Sequence, residues 1–492
     1  MVLSKDVDEY INEAHNIYDL VGNCFGMMCE KVKDQTAFIR DYVSEGERNS
    51  SNPNLPMLNR FFEKVMDAVI SYRPSRYQEF AKRVRGWIQE LELREYLKRE
   101  ENELTVLFFL LSGIDAGARL WEMKKLSSVA GPLDRENKTG YRVYFTSNYT
   151  LHDDYIDHVG RDRMNCSDFA SAFRTFRFIN TKDWQLGENI PRIIYIPKNR
   201  GEMDKRGTIL KVAAIPGMDE CNFQFQPTYG SGCKVVYTLT EQESIKKKIQ
   251  NSLRKALEAR CDIIVFPEYI ASPEVYGMIR DQVKNFSLNV SAESRPRLIF
   301  AGSTWTEDDN NVLNILDAWG DEIGKYYKYS AFTKRKKNGI GYEICESLAN
   351  PGKYCDLVAL EGVGLFLPAL CRDVIDGKYT EEIARALLPF FVVISAWSKS
   401  VKSFVPRQKE LANKYFISSI LVNGCSAVRK DRISIGNACI IHKNNTIAGA
   451  SIEDICRDNC REECKNSECV YIAEYDFEFN DSKKTAVKVY KL

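Results

Sequence analysis

At 492 residues the chain is longer than one ordinary hydrophobic core accommodates, so two or three domains are expected. With 44% apolar and 28% charged residues it has the composition of a globular protein, and a formal net charge of +1 excludes binding of nucleic acid or acidic lipid through bulk positive charge. The longest purely apolar run, Val106–Leu111, falls far short of the roughly 20 residues that span a bilayer.

Residues 1–128 read as helical. Phe61–Ile70 and Phe80–Leu97 place apolar groups at intervals of three and four, and Ser50–Pro56, rich in Asn and Pro, reads as a loop between helices. This region carries no catalytic motif, so it is expected to be a helical accessory region able to bind a protein partner. The opening MVLSKDVDEY has no apolar leader, and a cytoplasmic location is expected. The cysteines number fifteen, an odd count, and are scattered through strand-like and helix-like segments, which in a cytoplasmic chain points to reduced, buried thiols.

Residues 129–206 have a different texture, a small mixed or β segment. Tyr141–Leu151, Phe173–Ile179 and Arg192–Pro197 alternate or run apolar between turn residues. His152, Asp153, Asp154, Asp157 and His158 form a cluster that can hold a divalent metal or simply make a solvated acidic turn. Lys198–Lys205 is polar and contains Gly, as a linker does.

From 207 to 492 strands and helices alternate. Thr208–Met218 is a predicted first strand. After a loop, Thr240 to Glu243 reads as a capping box, and Ile245, Ile249, Leu253, Ala256 and Leu257 fall on one helix face. Cys261–Phe266 follows as a buried strand that runs into Pro267-Glu268. Further strands are predicted at Arg297–Gly302, Val312–Ala318 and Glu322–Tyr327, then Lys328 and a basic loop at Lys334–Asn338. Leu365–Leu370 is apolar and meets Cys371-Arg372-Asp373. Beyond it lie a helix at Glu381–Leu388, a strand at Phe390–Ser395, a helix from Pro406 to Tyr415, a strand at Ile417–Val422 and a hairpin from Asn437 to Ser451.

Three of these apolar strands are each followed closely by one reactive group: the Glu268 carboxylate, the Lys328 ammonium and the Cys371 thiol. A carboxylate to take the thiol proton, an ammonium to hold a developing oxyanion and a thiolate to attack are the three parts of a covalent amide or nitrile hydrolase. The chain has four histidines and only His442 lies in this half, which leaves little from which to build a Cys-His or Ser-His mechanism.

In this order the segments resemble the nitrilase (carbon-nitrogen hydrolase) superfamily over about residues 208–477. The matching stretches are TILKVAAIPGM, Pro267-Glu268, LIFAGS, NVLNILDAWG, GKYYKYSAF, LFLPALCRD, FVVISAW, ELANKYFISSILVNG and ISIGNACIIHKNNTIAGAS. The departures are Pro216 in the first strand, Arg372 after the thiol and Ala438 in the hairpin. The resemblance implies a nitrilase-like α-β-β-α sandwich, subunits that pair as a homodimer or higher homo-oligomer, a small amide, carbamoyl or nitrile substrate, and no cofactor. It also implies Glu268 as general base, Lys328 as oxyanion donor, Cys371 as nucleophile, the Arg372 N–H beside the oxyanion, Trp397 near the substrate, and a second glutamate, for which Glu346 is preferred over Glu343. A sensor or scaffold built on the same fold, with residues 1–206 binding a partner, is the alternative.

A Cys-rich insert occupies 452–469. Cys456, Cys460 and Cys464 recur at intervals of four and Cys469 follows, a pattern open to metal binding, redox disulfides or a reduced surface insert.

Overall fold

The computed structural model describes residues 5–32, 37–38, 53–72, 76–99 and 101–125, parts of 140–197, and 209–492 apart from several short stretches and the longer 425–432, 437–469 and 477–486. The His and Asp cluster at 152–158, the linker at 198–205, the hairpin beyond Gly436 with Ala438 and His442, and the four cysteines at 456, 460, 464 and 469 lie outside the described residues. The chain divides into two compact units, Met1–Gln185 and Leu186–Leu492.

The first unit contains α1 (Lys5–Glu13), α2 (Ile17–Lys31), α3 (Leu55–Ile70), α4 (Tyr77–Ile88), α5 (Leu91–Tyr96) and α6 (Glu101–Lys125), with an antiparallel pair formed by β1 (Tyr141–Phe145) and β2 (Phe176–Asn180). Asn16 caps α2 by accepting the N–H groups of Tyr18 and Asp19. The expected loop at Ser50–Pro56 overruns: Leu55 and Pro56 open α3, because the fixed φ and missing N–H of proline suit a first helical turn. The helix expected over Phe80–Leu97 is broken into two, with Glu90 at φ −59 and ψ 140 between them. Leu20, Phe25, Leu58, Val65, Leu110 and Phe176 belong to one apolar core of this unit.

The second unit starts with β3 (Ile190–Ile196), β4 (Ile209–Ala214), β5 (Phe223–Pro227), β6 (Cys233–Tyr237), α7 (Gln242–Glu258), β7 (Ile263–Val265) and α8 (Pro273–Leu288). It continues through β8 (Leu298–Trp305), β9 (Asn311–Asp317), β10 (Glu322–Tyr327), β11 (Thr333–Arg335), β12 (Tyr342–Cys345), β13 (Tyr354–Leu360) and β14 (Gly364–Leu370). Then come α9 (Arg372–Asp376), α10 (Lys378–Leu387), β15 (Phe391–Ala396), α11 (Val405–Tyr415), β16 (Ser418–Asn423), β17 (Ile433–Gly436), β18 (Tyr471–Asp476) and β19 (Val487–Lys491). They form two larger sheets of mixed direction, one ordered β10-β9-β8-β7-β4-β18-β19 and the other β17-β16-β15-β14-β13-β3.

Strands β14, β15 and β16 are buried along their whole length, which explains why β14 and β15 run largely apolar instead of alternating. Helix α7 packs Ile245, Ile249 and Leu253 with Ala213, Ile264 and Ile299 of the seven-stranded sheet. The two sheets are tied to each other: Ser395 Oγ donates to the Phe266 carbonyl at 2.7 Å, and the Phe391 ring meets Tyr475 edge-on at 5.0 Å.

Strand β3 corrects the expected boundary at 206. It pairs in parallel with β13 along Ile190–Ile196, so it is the edge of the six-stranded sheet and belongs to the second unit. Its Pro191 suits an edge position, where a missing N–H breaks no ladder in the interior. The stretch after β4, expected to be a loop, contains the β5–β6 hairpin, and Lys334 and Arg335 of the expected basic loop lie in β11, paired with β12.

Candidate active site

Lys328 follows β10 by one residue and is almost completely buried, at 1% exposure. A lone buried ammonium is costly, and the fold surrounds this one with anions. Its Nζ donates to Glu268 Oε1 at 2.8 Å and to Glu346 Oε2 at 2.6 Å. Asn311, the first residue of β9, donates from Nδ2 to Glu268 Oε1 at 2.9 Å and to Glu346 Oε1 at 3.4 Å.

The two carboxylates differ in how they are filled. Glu346 accepts from Lys328, from the Phe332 N–H at 2.5 Å, from Asn311 and from the Tyr269 hydroxyl, which accounts for both oxygens twice over. On Glu268, Oε1 takes Lys328 and Asn311, whereas among the described residues Oε2 accepts only the Trp397 N–H at 3.1 Å. Glu268 Oε2 therefore retains capacity for a proton. Burial and the nearby Glu268 charge push Glu346 well above the usual carboxylate range, against the Phe332 N–H. Glu343 is in β12, and its side chain lies outside the described residues.

Local backbone geometry holds Glu268 in place. Strand β8 carries an irregularity between Phe300 and Ser303, with Gly302 at φ +79. A Cβ at Gly302 would lie 2.7 Å from the Pro267 carbonyl oxygen, so the bulge gives room to the turn that presents Glu268. Ser303 Oγ accepts the Tyr269 N–H at 2.9 Å and completes the attachment.

Cys371 stands at the junction of β14 and α9 with φ 37 and ψ −95, an uncommon conformation for a residue with a side chain. Its N–H donates to the Ser395 carbonyl at 3.0 Å. Burial and the Glu268 charge push the thiol well above its ordinary range, while the Lys328 charge and the Trp397 N–H pull it down. Arg372 opens α9, where a first-turn N–H has no carbonyl within the helix. Its guanidinium pairs with Asp376 at 3.0 Å along the same helix.

Asp373 links the thiol to the lysine. The carboxylate, fully buried, accepts the Tyr329 N–H at 3.1 Å, the Ser330 N–H at 2.5 Å and the Tyr326 hydroxyl at 2.8 Å. These donors flank Lys328 in sequence, so the residue two beyond Cys371 fixes the segment that carries the ammonium.

Sequence reasoning missed Asn311 and Tyr269 as members of this site. Each had a signal: Asn311 is a polar residue opening an apolar strand, and Tyr269 directly follows Glu268. Among the described residues no group of three or more His, Cys, Asp or Glu side chains is placed to hold a metal ion.

No family model and no curated protein matches the chain. Solved structures do. An amidase from Nesterenkonia sp. aligns at 13% identity and a TM-score of 0.34, covering 47% of this chain and 84% of that one. A mutant of the Nesterenkonia AN1 amidase, described as a member of the nitrilase superfamily, aligns at 12% identity and a TM-score of 0.34 over 48% and 86% of the two chains. The structural neighbours of this chain are nitrilase-superfamily amidases. A further variant of that amidase carries the acetamide moiety of fluoroacetamide on its active-site cysteine; it aligns at 13% identity and a TM-score of 0.32 over 47% and 84%.

Proposed function

We propose that the second unit is a nitrilase-type hydrolase, with an α-β-β-α sandwich fold, that cleaves a non-peptide carbon-nitrogen bond in a small amide, carbamoyl compound or nitrile through a Cys371 thioester. The observation that carries this is the buried Lys328 ammonium shared between Glu268 and Glu346 beside a thiol with a strained backbone. Such a cluster costs several kcal/mol to desolvate and does little for stability that an apolar core would not do better, so a chemical role accounts for it.

On this reading Glu268 Oε2 takes the thiol proton as sulfur attacks the carbonyl carbon. The oxyanion is met by Lys328 Nζ and by the Arg372 N–H. Glu268 then returns the proton to the departing nitrogen, ammonia leaves, and water, deprotonated by Glu268, hydrolyses the thioester. Glu346, with its oxygens already filled, positions Lys328 rather than moving protons.

The test is ammonia release from a panel of primary amides and nitriles, with mass spectrometry of the intact protein to detect the acyl adduct. We expect an adduct on wild type and neither adduct nor ammonia from Cys371→Ala. Turnover that survives in Cys371→Ala, or no ammonia and no adduct from wild type with any compound, would sink the proposal and favour a sensor or scaffold.

A further inference from the structure

The β5–β6 hairpin sits against the candidate site with an apolar face. Its sequence alternates: Phe223, Phe225 and Val235 are buried or half-buried, whereas Gln224, Gln226 and Lys234 are exposed. The backbone of Cys233 at the start of β6 bridges to Glu346 itself. Phe223 packs on Tyr269 at 4.9 Å and edge-on to Trp397 at 5.2 Å. Phe225 lies 5.8 Å from Tyr269, 5.9 Å from Trp397 and 6.4 Å from Phe332.

The partners of these two phenylalanines are the residues that hold the carboxylates. Tyr269 donates to Glu346, Trp397 donates to Glu268, and Phe332 donates to Glu346. The rings therefore stand within a residue of the reacting groups. Phe223 is buried, but Phe225, Phe332 and Trp397 are only half-buried, so aromatic surface remains uncovered at the edge of the site.

We propose that this hairpin is the specificity element of the site and that it selects an uncharged amide bearing an aromatic or similarly flat apolar group. A flat ring lying against the half-buried Phe225 and Trp397 gains the edge-to-face and offset contacts that aromatic groups make with one another. A charged or strongly polar substituent set against these rings would lose part of its hydration. The inference rests on the hydrolase proposal for the place of the substrate, but its test does not require turnover.

Full-length Cys371→Ala is titrated calorimetrically with phenylacetamide and with acetamide. We expect phenylacetamide to bind at least about tenfold more tightly. Adding Phe225→Ala or Phe225→Leu should lower that ratio by about three- to tenfold, and the leucine variant keeps an apolar residue on the hairpin in case alanine perturbs its packing. Equal dissociation constants, no binding of either amide, or a ratio unchanged in both variants overturns the proposal. Ammonia release by wild type from the same two amides reports separately on the chemistry. Selective binding without ammonia sinks the hydrolase reading alone, and ammonia without selectivity sinks the aromatic pocket alone.

Discussion

Glu268 and Glu346 are chemically identical residues whose surroundings give them different capacities, and substitution separates them. Glu268→Gln can keep the hydrogen bond from Lys328 on its one carbonyl oxygen but puts an amide NH2 where the Trp397 N–H is accepted and removes the proton acceptor, so turnover should fall roughly 100-fold to 10,000-fold with the fold intact. Lys328→Ala should cost a similar factor through the lost oxyanion donor, and it also leaves two buried carboxylates facing each other. Rates near wild type in either variant, measured beside circular dichroism to establish folding, would remove the assigned roles. Asp373 offers a test by pH. Burial raises its carboxyl from an ordinary 3.8 to about 6, opposed by the hydrogen bonds from Tyr326, Ser330 and Tyr329. A raised folded value means that the folded state binds the proton more tightly than the unfolded state. The associated stability is complete below about pH 4 and is lost as pH rises through 6, in total about 3 kcal/mol. Asp373→Asn cannot titrate, so between pH 4.5 and 7.5 the wild-type urea midpoint should fall relative to the variant. Parallel pH dependence in the two proteins would show that Asp373 does not titrate in that window.

Among the elements, those legible in the sequence are the ones whose burial is complete. Leu365–Leu370 and Phe390–Ser395 run largely apolar because both faces are covered, and these two and Ile417–Val422 are each a strand within a residue or two of the expected bounds. Glu268, Lys328 and Cys371 stand out in the sequence because each lies just beyond an apolar strand, whereas the preference for Glu346 over Glu343 comes from the family resemblance alone. Hairpin β5–β6 was not legible, because FQFQP and CKVVY are short and rich in polar residues, and the site they pack against comes from distant parts of the chain. Asn311 hides for a related reason: its partners are 43 and 35 residues away. The bulge in β8 shows how an element without chemistry controls one that has it. Gly302→Ala should cost roughly 1–2 kcal/mol from the left-handed backbone alone, and the new methyl group would press on the Pro267 carbonyl at 2.7 Å. A lowered melting temperature together with a loss of activity larger than the change in folded fraction is the expected result. Unchanged activity at a temperature where the variant is fully folded would mean that the turn carrying Glu268 tolerates the displacement.

For the whole molecule, the question is where the second unit begins, and β3 decides it. The polar stretch at 198–205 invites a cut near Gly207, yet such a cut discards Ile190–Ile196 and strips the edge from the six-stranded sheet. It also removes Arg192, whose guanidinium holds Asp356 in two hydrogen bonds, both at 2.7 Å, while Asp356 Oδ2 accepts the Lys325 N–H at 2.8 Å. Lys325 lies three residues before Lys328, and Gly324 beside it approaches Asp356 so closely that a Cβ there would lie 3.0 Å from its carboxylate. Asp356 is buried, so losing Arg192 leaves an anion with a main-chain donor but, among the described residues, no paired cation. Arg192→Ala alone should therefore destabilise the second unit by about 1–3 kcal/mol, less than a fully buried pair would lose because half of the arginine is exposed. We expect a fragment beginning at Leu186 to be soluble and to acylate at Cys371, since the first unit has its own core and supplies none of the proposed chemistry. A fragment beginning at Gly207 should aggregate or acylate poorly, because β13 is left as an unpaired apolar edge. Comparing the two fragments by size-exclusion chromatography and by acyl-adduct mass separates the possibilities. Equal behaviour would make β3 dispensable, and failure of both would make the two units a single folding unit.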